Sequence, residues 1–431
     1  MMPRRAFTPN PSFGRERRRV RYFGLNATPL LSLLLPVCGL LLVILSFIPG
    51  VLNIVVMNGV ERRVSDLQGL RPTRGFDREI IFEEKWSQRV EEYGNVWALG
   101  ALSDDDIRVL IAFDMLDADV NPYDLRADLK QWFGTIRGGY GGGRAFIVSE
   151  GLFLGREEQL VYAHEFTHVL QDQQFGLKKC SKPCSESCMA ETSLPEGEAV
   201  LVEEIYKDTY FPDSIEEGSS PGGTTCLMGM LHFPYVWGYK FAETLYAQGG
   251  WEAVNAAYAN PPRSTEQVLH PDRYLAGDES QTISISLFPS FLGPDWHLAS
   301  NGVLGEYLTR CYLSQQIPMG EAAEAAEGWD GDQYHVFYTE TGELALVLRT
   351  VWDTPLDAEE FVAAYAAYAI ARPGRTVGDI GDERMCWDGE RDHVCLTWRS
   401  AETTVVLGPD KGMVESLLGT LGLGDSGGSG G

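Results

Sequence analysis

Positive charge is scarce in this 431-residue chain, where 35 Lys and Arg stand against 61 Asp and Glu for a formal net charge of −26. Residues 1–60 hold seven of the basic residues and one acidic residue, so the remainder carries −32. A surface of that sign repels phosphate backbones and anionic headgroups, which argues against nucleic acid and would steer cationic peptides inward. Histidine is also rare. There are seven, and His164 and His168 alone precede His232. The glycine-rich run Gly138–Arg144 lacks the Lys-Ser/Thr of a phosphate-binding loop, and no internal repeat is present.

Charge is missing altogether between Arg21 and Glu61, and within that span Leu30–Ile48 is almost wholly apolar. About 20 such residues cross a bilayer as a helix. The run exceeds the apolar core of a cleaved signal peptide, and no small-x-small cleavage site follows it. The sequence therefore predicts an uncleaved, single-pass transmembrane anchor within residues 22–60. Residues 1–21, rich in arginine, would stay cytoplasmic and the rest would be extracytoplasmic. Cys38 falls in the apolar run; the other seven cysteines read as disulfides of an exported domain. Cys386 and Cys395 flank an Asp388-Gly389 turn signal and would cross-link a hairpin. Two of Cys180, Cys184 and Cys188, or one each with Cys226 and Cys311, would staple their loop, with a structural zinc on the three as the alternative.

What the chain does contain is His164-Glu165-Phe166-Thr167-His168 in a stretch, Arg156–Phe175, free of Pro and Gly. Residues four apart share one helix face, so both imidazoles can meet one metal with Glu165 beside them. Zinc lowers the pKa of a bound water to about 7, and a neighbouring carboxylate can take its proton as it attacks a peptide carbonyl. A catalytic zinc site wants a third protein ligand. Glu196, in Pro195-Glu196-Gly197-Glu198-Ala199 and followed by a helical pattern, is placed to supply it.

HExxH followed by Glu-Gly-x-Ala is similar to the gluzincin metallopeptidases. A closer resemblance is to an uncharacterised bacterial family of membrane-anchored zinc peptidases with three motifs. They stand here as HEFTHVLQDQ (His164–Gln173), EGEA (Glu196–Ala199) and STEQVLHP (Ser264–Pro271). The resemblance covers about residues 60–420. It implies an α+β, zincin-like fold with a mostly helical catalytic domain and a small sheet, Zn2+ on His164, His168 and Glu196, and a peptide or protein substrate. It supplies no substrate identity and leaves the oligomeric state open. The Gly-x-Met-Glu-Asn segment of aminopeptidases is absent, and Val200 replaces the Asp that orients a zinc histidine in thermolysin-like chains. Asp172 is the substitute read from the sequence for that task.

An oxyanion also needs a hydrogen-bond donor. Among His270, Tyr235, Tyr239 and Tyr274, the sequence reading favours His270 for its place in the third motif, with Tyr239 beside it as a catalytic candidate. Ala145–Ser149 reads as a strand at the cleft rim, where an extended peptide would add, with the glycines before it as a flexible lip. Residues 61–140 read as mainly helical and 141–316 as the zinc peptidase core. Residues 317–422 read as a small α+β domain, and 423–431 as a disordered tail. The reading from a different class is a membrane-tethered peptidase-like accessory protein with little turnover.

Overall fold

The computed structural model describes residues 28–424 apart from 179, 181, 183 and 213–224, with backbone alone for 28–47 and 95–101. The chain divides after Ile54, and residues 55–431 form one compact unit. Its first part contains the end of α1 (Thr28–Gln68), β1 (Asp77–Phe82), α2 (Glu83–Ala101), α3 (Asp104–Ala112), α4 (Pro122–Gly134), β2 (Gly138–Gly141) and β3 (Arg144–Ser149). Five helices follow: α5 (Arg156–Gln174), α6 (Glu186–Tyr210), α7 (Cys226–Ala257), α8 (Thr265–Leu269) and α9 (Pro271–Ala276). The second part runs β4 (Trp296–Gly302), α10 (Gly305–Leu313), α11 (Met319–Ala326), β5 (Trp329–Thr339), β6 (Leu344–Trp352), α12 (Pro355–Ala371), β7 (Thr376–Gly381), β8 (Arg384–Asp388), β9 (His393–Arg399), β10 (Glu402–Gly408) and α13 (Lys411–Thr420).

The expected transmembrane helix is overturned: among the described residues no helix is long and apolar enough to cross a membrane. The side chains of residues 30–47 and the whole of the basic segment 1–21 lie outside the described residues. From Val55 onward α1 is a domain helix. Met57, Val60 and Val64 recur on one face and are buried with Ile147, Tyr162, Phe166, Val169 and Val202. On the same helix Glu61 accepts a hydrogen bond from Tyr162, 2.6 Å away. This part of the helix, from Val55 onward, thus belongs to the body that carries the HExxH segment.

The first sheet has the order β1-β3-β2, with β1 parallel and β2 antiparallel to β3. The strand expected at the rim, β3, is therefore central, and the open edge beside it is the glycine-rich β2. Gly138, Gly139 and Gly141 belong to this paired strand, and Gly142 and Gly143 make the turn into β3. The second sheet has seven strands in the order β4-β5-β6-β10-β9-β8-β7 and is antiparallel throughout. Alternation along β6 sends Leu346 and Leu348 to the face under α12, where Phe361, Tyr365 and Tyr368 are buried. Ala345 and Val347 face the other way, toward Leu417 and Leu418 of α13. This sheet begins at Trp296, inside the segment read from sequence as the peptidase core, and the tail from 425 lies outside the described residues.

Among the described residues two disulfides are formed, Cys180–Cys188 and Cys386–Cys395. The second joins directly opposed residues of β8 and β9. The first closes the loop that leads into α6.

Candidate metal centre

Helix α5 is set up by its ends. The Glu158 carboxylate accepts from the Gly155 backbone N–H at 2.8 Å, and Gly176, at φ +76°, stops the helix as its sequence suggests. Phe166, Val169 and Leu170 are buried on its inner side, while His164 and His168 face Glu196 of α6 and Glu165 packs against Gly138 of β2. Helix α6 starts at Glu186, well before the Pro-Glu-Gly motif, and carries Pro195 in its interior. Proline at an interior position gives up one helical hydrogen bond. The carbonyl of Pro195 accepts from the side chain of Gln171, which ties α6 to α5 beside the motif.

One nitrogen each of His164 and His168 and one oxygen of Glu196 lie within 4.8 Å of one another. Both Nε2 atoms are 3.3 Å from Glu196 Oε2. Two ligand atoms about 2.05 Å from a tetrahedral zinc lie about 3.3 Å apart, so this spacing suits the ion. The outward nitrogens have partners of their own. His164 Nδ1 is 3.4 Å from Glu203 Oε2, and His168 Nδ1 is 2.8 Å from Gln171 Oε1. With each Nδ1 donating outward, a neutral ring would present the lone pair of its Nε2 toward Glu196. Lone pairs facing a carboxylate repel unless protons or a cation lie between them, and a metal dication supplies that charge.

The electrostatics say the same. Burial alone would lower the pKa of His164, but the hydrogen bonds to Glu196 and Glu203 and the charge of Glu165 overcome it and lift the ring to about 10. Glu196 moves the opposite way: burial opposes its charge, yet the two imidazoles hold it far below the usual carboxylate range. Glu165 is pushed up to about 7, chiefly by burial. Its carboxylate leaves no room on the facing strand, since a Cβ at Gly138 would stand 2.7 Å from Glu165 Oε1. Gly138 on the edge strand β2 thus leaves room for Glu165 and for Val161, whose Cγ1 a Cβ would meet at 2.6 Å.

The glycine of the second motif has an equally definite task. A Cβ at Gly197 would lie 2.0 Å from the Gly238 carbonyl oxygen, and one at Gly238 would lie 2.3 Å from that of Ser193. Backbones of α6 and α7 touch here, which brings Tyr235, one turn before Gly238, over the site. Its ring stacks on His164 with centroids 6.3 Å apart at 21°. The charge of Glu196, with burial and Glu165, raises its hydroxyl well above the ordinary range, so it stays a donor.

The other candidate donors make their contacts elsewhere. His270 Nε2 is 2.9 Å from Glu306 Oε1 and 3.3 Å from Arg310, which pairs with the same Glu306. Tyr239 donates to Glu243 on the exposed side of α7, and Tyr274 donates to the Asn260 carbonyl. Asp172, read from sequence as the histidine orienter, accepts from Tyr140 and Arg74. Glu203 and Gln171 hold that position. Their signal is spacing: Gln171 lies three residues past His168, and Glu203 seven past Glu196 on the same helix face.

The third motif ties the two parts of the unit together. Thr265 N donates to Glu186 and its Oγ1 accepts from Tyr307 N, while Glu266 pairs with Arg273, which also holds Asp353. A cavity of about 510 Å3 lies nearby, lined by Asp106, Glu186, Ser264 and Asp332 among others, and includes none of the three candidate ligands. No curated protein and no solved structure matches this chain. Residues 297–418, which cover β4 to α13 and none of the candidate ligands, match a family described as a domain of unknown function (DUF8575).

Proposed function

We propose that this protein is a zinc-dependent peptidase that uses His164, His168 and Glu196 as metal ligands. The observation that carries the reading is the joint geometry: three donor atoms at metal-ligand spacing, both histidines turned toward Glu196 by outward partners, and a buried carboxylate adjoining them. A zinc ion held there would act as a Lewis acid on water and on a substrate carbonyl. Glu165, raised toward neutrality by burial, takes a proton from the attacking water on its carboxylate and passes it to the leaving amine. The Tyr235 hydroxyl, kept protonated, donates to the developing oxyanion. The open edge of β2, packed on Glu165 through Gly138, offers backbone hydrogen bonds to an extended peptide. The two disulfides suit an oxidising compartment.

The test compares zinc content and cleavage of a peptide library for wild type and Glu165→Gln. Zinc retained with hydrolysis lost supports the reading; a wild-type chain that takes up no zinc sinks it.

A further inference from the structure

We infer that Gln171 and Glu198 position His168 for the metal, and that helix α1 takes part in setting that position through Gln68; the inference rests on the zinc reading above. The amide of Gln171 has no freedom in its role. Its Nε2 donates both to the Pro195 carbonyl at 3.0 Å and to Glu198 Oε2 at 2.9 Å, so its oxygen faces His168 Nδ1 and accepts. This fixes the proton on Nδ1 and leaves Nε2 free for a metal, the task that outer partners of metal-bound histidines perform.

Glu198 is the hub of this arrangement. It is fully buried and collects three donors: Gln68 Nε2 at 2.6 Å on one oxygen, and Gln171 Nε2 and the Tyr258 hydroxyl, at 2.5 Å, on the other. Gln68 is the last residue of α1, and its own buried Oε1 has no partner among the described residues, so Glu198 alone orients its amide. Tyr258 follows α7 and is braced by a stack on Phe175, with centroids 4.2 Å apart at 9°. Helices α1, α5, α6 and the end of α7 therefore meet at one carboxylate, with Gln171 between it and the His168 ring. His164 lacks such a hub and relies on Glu203, whose side chain is 31% exposed. The two histidines are held with different stiffness, and the stiffer one is linked to α1.

The experiment uses the full-length, zinc-loaded chain and a chromogenic chelator as competitor. Gln171→Leu is expected to weaken zinc binding by about 10–100-fold, and Tyr258→Phe and Gln68→Leu by severalfold. Gln173→Leu serves as a control on the same helix; its amide oxygen accepts from Thr73 at the surface, and zinc affinity stays at the wild-type value. A second readout isolates positioning from general stability. Ring 15N–1H spectra should show an exchange-protected Nδ1–H of His168 in wild type that is lost in Gln171→Leu. Wild-type affinity in both Gln171→Leu and Tyr258→Phe, with the His168 signal intact, overturns the inference while leaving the zinc site standing. A wild-type chain without zinc overturns both. Should Gln171→Leu fail to fold, the isosteric Tyr258→Phe decides.

Discussion

Replacing Gly197 with alanine tests how the second motif builds the site. The added methyl would stand 2.0 Å from the Gly238 carbonyl oxygen and 2.8 Å from the Tyr239 nitrogen. Both are main-chain atoms of a helix, so no side chain can turn aside, and ordinary contact requires α7 to withdraw by more than an ångström. Overpacking of a filled interior costs about 1–3 kcal/mol and occasionally more; two rigid backbones put this case at the upper end, about 3 kcal/mol. The same withdrawal would pull Tyr235 away from Glu196, so hydrolysis should fall further than the loss of folded protein explains. Gly419→Ala provides the opposite sign. It lies in α13, where a Cβ meets nothing within 4 Å, and should stabilise by about 0.5–1 kcal/mol. Urea unfolding midpoints measured at equal slope give both values. A Gly197→Ala chain within about 0.5 kcal/mol of wild type would refute the close-contact argument.

Tyr235→Phe should keep its zinc and lose about 10²–10³ in kcat, the usual cost of an oxyanion donor, as read from steady-state kinetics beside metal analysis. Burial raises Glu165 and a bound dication would lower it, so in the zinc-loaded chain kcat/KM should fall about tenfold per pH unit on the acid side of the Glu165 titration and level off above it; an acid limb that does not move in Glu165→Asp contradicts a Glu165 base. Glu186 is raised by burial from 4.5 to about 8, so folding takes up a proton there. Its contribution to stability is intact below about pH 4.5 and is lost as pH rises toward 8, and Glu186→Gln should flatten that part of the stability profile. Cys386→Ser with Cys395→Ser opens a short hairpin loop and should cost about 2–3 kcal/mol in denaturant unfolding.

The metal-ligand candidates were legible because their chemistry depends on spacing within two helices. His164 and His168 are four residues apart on α5, and Glu196 follows in a motif with few other readings. The hairpin disulfide was legible for the same local reason: an Asp-Gly turn sits between two cysteines. Roles that depend on a partner from another element were not. Tyr235 differs from Tyr239 by one helical turn, and the crossing at Gly197 and Gly238 decides which of them faces the site. His270 looked functional because its motif is dense, but the density serves the ties to α10 and α6. Leu30–Ile48 read as an anchor on hydropathy alone, whereas the buried face of α1 from Met57 onward emerges only once α5 is packed against it.

Those ties bear on where one may cut the gene. The segment shared with the domain of unknown function begins at residue 297, yet Trp296, one residue earlier, is buried in the second sheet's core. Arg273 holds Glu266 on one side and Asp353 on the other, and Gly305 of α10 lies against the buried Glu186 carboxylate at the head of the helix that carries Glu196. An expression boundary at 296 would part that carboxylate from α10, part Arg273 from Asp353 and take Trp296 from β4. The matched segment is here smaller than the unit that folds, and the half that carries His164, His168 and Glu196 should be recoverable as soluble protein only with its C-terminal partner attached.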